Sequence, residues 1–194
     1  MELTWFRKPS SDQPGTLNLC YNALDRHVIR GRALEPAVIT PAGTDDFATV
    51  LEHVAALAGA LRALGVGPGA AVGIDLEDPA DALLAFLACA RLGAVPGGAG
   101  APAVLLTSRE PGASSASVSV LRGIPVTDVA RQVDWDLAIK AGRDEPAPCA
   151  DVSPRDPAWS SPEEKVLVGE AVGHGSPQGQ VLARLCAGEP VGLN

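Results

Sequence analysis

Ala71-Val72-Gly73-Ile74-Asp75-Leu76, the run from Pro79 to Gly93, and Ala103-Val104-Leu105-Leu106 together decide the fold. The first and last pieces are short apolar runs of strand length. Between them, Pro79 suits the first turn of a helix, and Leu83, Leu84, Phe86, Leu87 and Ala90 carry an apolar face to Gly93. A Gly/Ala/Pro stretch at 94–102 leads into the second strand. Strand, helix and strand in that order predict a parallel sheet with crossover helices.

Upstream, Thr44-Asp45-Asp46 predicts a helix start, with Thr44 as its cap and two carboxylates at its positive end. Phe47, Val50, Leu51, Val54, Leu57, Ala58, Leu61 and Leu64 follow at spacings of three and four, an amphipathic stripe with His53 on its polar side. Gly65-Val66-Gly67-Pro68-Gly69 ends it. Ala37-Val38-Ile39-Thr40 predicts a short strand, residues 20–31 a helix closed by Gly31, and residues 1–16 an irregular arm. Downstream, Ser114-Ser115-Ala116-Ser117 reads as loop, 118–126 as strand and 134–142 as a short helix. Residues 144–163 hold five prolines and predict an extended linker. Val166-Leu167-Val168 is a last strand before a Gly-rich turn, and Gln180 to Ala187 has helical character. The organisation expected is an arm and helix (1–33), an α/β core (34–143), and a Pro-rich linker with a strand-turn-helix (144–194).

The chain has 194 residues, 46% of them hydrophobic and only 4% aromatic, so small-residue helices on aliphatic strands must form the core. A net charge of -8 with no Lys/Arg cluster argues against nucleic acid and against anionic membranes. The apolar runs fall far below the roughly 18 residues of a membrane helix, and the start, Met1 to Lys8, does not read as a signal peptide. The four cysteines, at 20, 89, 149 and 186, are too widely spaced for a CxxC-type metal site. No metal is expected, and reduced buried thiols in a cytoplasmic protein are the plain reading.

Leu17-Asn18-Leu19-Cys20-Tyr21-Asn22-Ala23-Leu24-Asp25-Arg26-His27-Val28 crowds Tyr, Asn, Asp, Arg and His into one run. Such groups are costly to bury unless each finds a partner. Tyr21, Asn22, Asp25, Arg26 and His27 are therefore read as a polar network that docks the arm. Together with Trp5-Phe6, Gly31-Arg32, Thr44–Leu64, Gly65–Gly69, Val72-Gly73-Ile74 and Ala88–Val95, this block resembles acetyl- and propionyl-CoA synthetases of the adenylate-forming superfamily. The resemblance implies an α/β fold, a mostly parallel sheet flanked by helices, like the first part of that family's large N-terminal domain. There these segments are scaffold and carry no catalytic side chain.

The family's phosphate loop follows a strand, is rich in Ser, Thr and Gly, and ends in Pro-Lys-Gly. The local counterpart is Val166 to Gly179, whose remnant is Gly173, His174, Gly175, Ser176, Gln178 and Gly179. Glu170, Ala171 and Val172 occupy the hydroxyl-rich centre, and Gln178 stands at the lysine position. A carboxylate repels polyphosphate, and Gln supplies no cation, although Gly-rich amides could form a weak anion nest. The resemblance therefore implies a truncated synthetase-like protein without adenylation activity of its own. No cofactor is expected beyond weak ATP, AMP or CoA binding. The partner expected is a second copy or a larger pathway enzyme. The alternatives are a small enzyme of changed chemistry, with His174, Ser176, Arg109 and Asp25 as candidates, or one half of a split synthetase. Ser114, Ser115 and Ser117 sit in no nucleophile elbow, and no catalytic residue is assigned.

Overall fold

A computed structural model describes residues 2–97, 101–112 and 116–193. Strand β1 (Trp5–Arg7) pairs antiparallel with β2 (Thr16–Leu17), so the arm is partly ordered as a hairpin where irregular chain is expected. A π-helical turn at Tyr21–Asp25 runs into α1 (Arg26–Ile29). Next come β3 (Pro36–Thr40), β4 (Gly43–Asp46), α2 (Phe47–Ala63), β5 (Ala71–Asp75), α3 (Pro79–Leu92) and β6 (Val95–Pro96). The chain continues through β7 (Val104–Thr107), β8 (Val118–Leu121), β9 (Gln132–Asp134) and α4 (Trp135–Asp144). It ends in β10 (Pro157–Ser160), β11 (Lys165–Leu167), α5 (Val168–Ala171), α6 (Pro177–Ala187) and β12 (Val191–Gly192).

The main sheet is parallel throughout, in the order β6-β5-β7-β8-β9. Its register sets Ile74 beside Leu106, and Leu106 beside Val120. Leu106 and Val120 are fully buried, which pins that register, since a one-residue slip would turn them to the other face. The sheet grows first toward β6 and then, across β5, toward β7. The carboxyl ends beside β5 are thus a topological switch point, where open α/β sheets form crevices.

Local chemistry sets the helix ends. Asp46 caps α2 by accepting from the Thr49 amide at 2.8 Å, so the cap lies two residues beyond the expected Thr44, which belongs to β4. Asp78 caps α3 through the Ala80 and Asp81 amides, with Pro79 in the first turn and Gly93 left-handed at the end. Helix α2 is less amphipathic than its stripe predicts. It packs against both α3 and α4, so Val54 to Leu61 are buried on every side and His53 is half-buried. Gly59 and Gly142 make the α2–α4 approach possible, because a Cβ on either would strike the backbone of the facing helix or its end.

The 144–163 stretch is extended but does not act as a spacer. Its Ala147 amide donates to Ala55, its Ala150 amide to Arg91, and Val152 exchanges both backbone bonds with Leu17. Ala147 and Val152 join the core. The strand expected at 118–126 stops at Leu121, and the helix expected at 134–142 runs to Asp144. Strand β12 pairs in parallel with β3, so the last residues described complete a three-stranded sheet begun near the start. One core cluster draws on residues from 17 to 191. Among the described residues, no helix is long and apolar enough to cross a membrane.

Candidate functional site

Two polar centres and one apolar cleft divide the chemistry. The first centre is built on the π-helical turn. Asn22 holds the arm, accepting from the Thr4 amide at 2.7 Å and donating to the Thr4 carbonyl at 3.0 Å. Arg26 donates to Asn22 Oδ1 at 3.0 Å and to Glu2 O at 3.1 Å, and it also reaches the Cys186 carbonyl near the end of α6. Tyr21 meets Phe6 edge to face. His27 lies against Phe47 and takes a contact from Arg32 at 3.3 Å, and the Leu185 backbone also interacts with it, although its Nε2 makes no hydrogen bond of good geometry among the described residues. Burial, reinforced by Arg26 and Arg32, holds the His27 imidazole below its usual range, so it stays neutral.

Asp25 points to the other side of the turn. Both of its oxygens accept from Arg91 Nη1, at 3.0 and 2.9 Å, and the pair is nearly buried. Arg91 Nε donates to the Ala147 carbonyl at 2.6 Å, and Arg91 Nη1 lies 3.7 Å from Cys20 Sγ. Cys149 Sγ lies 3.7 Å from Asp25 Oδ2. Burial opposes the Arg91 charge, but Cys20, Asp25 and Cys149 outweigh it and hold the guanidinium above its usual range. Contact with Cys20, then burial, drives the Cys149 thiol far up, so it stays protonated. Cys20, Asp25 and Cys149 all lie within 4.8 Å of one another. Asn18 braces this centre, donating to the carbonyls of Ala90, Arg91 and Ala150. Asn18, Arg91 and Cys149 are absent from the sequence-derived candidates, because no local spacing announces partners so far apart in the chain.

The second centre is the turn at Gly173–Gly179. Val166 to Gly179 does not run as strand and open loop. It forms the end of β11, the short α5, a turn and the start of α6. His174 Nε2 contacts Glu164 Oε1 at 3.2 Å, and its Nδ1 lies 3.0 Å from Ser176 Oγ. The Ser176 amide also donates to that Nδ1, and Ser176 Oγ accepts from the Gly179 amide to cap α6. A Cβ on Gly179 would strike the His174 backbone, so glycine is required for this tight approach. Glu, His and Ser in a chain resemble a nucleophile relay, but Pro177 follows the serine and has no N–H to stabilise an oxyanion. The hydrogen bonds here cap a helix. Gly173 and Gly175 are exposed turn residues, and Gln178 lines the neighbouring cleft.

That cleft opens at the switch point, with a volume of about 450 Å³. Its walls include Ile74 at the end of β5, Phe86 of α3, Gly97 after β6, Trp159 and Ser160 of β10, and Val181 of α6. Trp159 packs edge to face on both Phe86 and His174. Among the described residues, no lining side chain is charged; Ser160, Ser161 and Gln178 provide the polar groups. Arg109, a candidate of the changed-chemistry alternative, is paired with Asp75 at 2.7 Å and Glu77 at 3.2 Å. Ser117 falls in a bend before β8, and Ser114 and Ser115 lie outside the described residues. The polar network and the turn do not share a site, although α6 touches both.

Comparison with known proteins agrees with this architecture. A family model described as AMP-binding enzyme matches residues 26–101. An uncharacterized protein of Pseudomonas aeruginosa is 48% identical over 87 residues, covering 42% of this chain and 14% of that protein. The mitochondrial acyl-CoA synthetase short-chain family member 3 of Rattus norvegicus is 41% identical over 87 residues, covering 42% of this chain and 13% of its own length. The chain thus spans about one seventh of the length of these curated relatives. Among solved structures, the anthranilate CoA ligase AuaEII in complex with anthranoyl-AMP superposes with a TM-score of 0.60 at 21% identity, covering 77% of this chain and 32% of that one. That likeness shows the fold, an α/β architecture with a parallel sheet flanked by helices. Residues 26–101 of this chain thus match the AMP-binding enzyme model, and the chain is similar over that part to a short stretch of an acyl-CoA synthetase.

Proposed function

We propose that this chain is an acyl-CoA-synthetase-like binding module that does not adenylate on its own. The carrying observation is the cleft at the switch point, whose described lining holds no cation. Transfer chemistry on a triphosphate needs positive charge aimed at the phosphates, and Arg109, the candidate cation, is already paired to two carboxylates. The capped turn at Gly173–Gly179 supports the same reading, since Ser176 and His174 are held by each other and by α6. An apolar cleft walled by Trp159 and Phe86 suits an acyl or aromatic group better than a phosphate chain.

The partner we propose is a second copy of this chain or a larger enzyme of the same pathway, in the cytoplasm. The test is ATP–pyrophosphate exchange with acetate and propionate, run beside calorimetry with ATP, AMP and CoA. The expected result is no exchange and at most weak nucleotide or CoA binding. Exchange above the blank by the isolated chain overturns the proposal. Light scattering after size exclusion examines the partner: a species heavier than one chain is expected, and a clean monomer that binds no apolar dye counts against self-association.

A further inference from the structure

We propose that Cys20 and Cys149 are a redox-responsive thiol pair that closes to an intramolecular disulfide and pins the N-terminal helix block to the 145–156 strap. The fold brings the two together by strand-like counting. Leu17 and Val152 form an antiparallel bridge, and three residues onward in one segment and three back in the other lie Cys20 and Cys149. Their sulfurs lie within 4.8 Å, close enough for side-chain rotation to complete a bond. All four cysteines are free thiols. Cys20 is fully buried, whereas Cys149 is only half-buried and gives a small oxidant its way in.

The same cluster offers two sulfurs and a carboxylate to a metal ion, but its cation is already in place. Arg91 Nη1 sits within 3.0 Å of both Asp25 oxygens and 3.7 Å from Cys20 Sγ. A divalent ion bound to all three groups would press against that guanidinium. Cys89 and Cys186 are buried and lie outside this cluster, and they serve as internal controls.

The oxidant proposed is a peroxide. The Cys149 sulfur gives its proton to Asp25 Oδ2, 3.7 Å away, as it takes one oxygen from hydrogen peroxide; it becomes a sulfenic acid, and the proton leaves with the other peroxide oxygen as water. The Cys20 sulfur then attacks the Cys149 sulfur, the S–O bond breaks, and hydroxide leaves with the Cys20 proton as a second water. Two electrons pass from the cysteines to the peroxide, and an added dithiol returns them.

The test treats the full chain with hydrogen peroxide, blocks the remaining thiols under denaturing conditions and maps the peptides by mass spectrometry. The expected product is a monomer that has lost two hydrogens, with the Cys20 and Cys149 peptides linked, its thermal midpoint raised, and both changes reversed by dithiothreitol. Cys149→Ser should abolish the link, and the Cys89→Ala/Cys186→Ala double variant should keep it. The wild-type map alone decides the matter if Cys149→Ser fails to fold. Sulfinic acid on Cys149 with Cys20 unmodified, links between chains, or a zinc ion retained by the pair in native mass spectrometry would each overturn the proposal.

Discussion

The helix block at Leu17–Val28 and the turn at Gly173–Gly179 both crowd polar side chains into a short run, and they spend them in opposite ways. In the block, Asn18, Asn22, Arg26 and His27 are buried, and three of them bond to chain far away in sequence. In the turn, His174 and Ser176 bond to each other and to the helix that follows. Buried polar groups without partners are costly, so the first arrangement makes global stability depend on exact docking. The second leaves its bonds near water, where each contributes little.

The most severe test of this contrast is Arg91→Ala. It strands the nearly buried Asp25 carboxylate, which should cost about 3–5 kcal/mol, measured as a fall in the urea midpoint. Asn18→Ala comes next. It removes the donor shared by three carbonyls, and leaving buried acceptors unpaired should cost about 2–3 kcal/mol in the same assay. If either variant loses less than Ser176→Ala, the contrast fails.

Ser176→Ala removes the α6 cap together with the His174 contact and should cost about 1 kcal/mol, with the far-ultraviolet signal of the native protein unchanged. A pH titration probes His27 at a similar scale. Its folded-state affinity for a proton is depressed by burial and by Arg26 and Arg32, so the unfolded chain binds more protons below about pH 6.5. Stability should therefore fall as pH drops through that value, with a slope of at most about 1.4 kcal/mol per pH unit from this one group. His27→Gln should flatten the slope; an unchanged slope would place the dependence elsewhere. The smallest effect belongs to Glu164→Gln at the exposed His174 contact, expected at about 0–0.5 kcal/mol and seen only as a slight shift of the thermal midpoint.

Much of the fold was legible in the chain. The alternation of 71–76, 79–93 and 103–106 foretells β5, α3 and β7, because strand and helix periods are local properties. The cap of α2 was misplaced by two residues, since Thr44 and Asp46 offer the same chemistry and only pairing with β3 commits Thr44 to a strand. The prolines at 144–163 predict an extended linker, but proline content carries no record of what that chain lies against. For the same reason, the candidate residues of the block were visible as a polar crowd while Arg91 and Cys149 were not.

What the sequence determined by itself was the strand-helix-strand order of β5, α3 and β7, the composition of the core and the likeness of residues 26–101 to AMP-binding enzymes. Each rests on neighbours within a few positions or on an ordered run of them. Only the tertiary structure decided that Asp25 meets Arg91, that Cys20 meets Cys149, that β12 returns to β3, and that the described lining of the cleft beside β5 carries no charge. Those are meetings between distant segments, set by how buried surfaces and backbone bonds are satisfied together, and packing of that kind leaves no periodic trace in the chain.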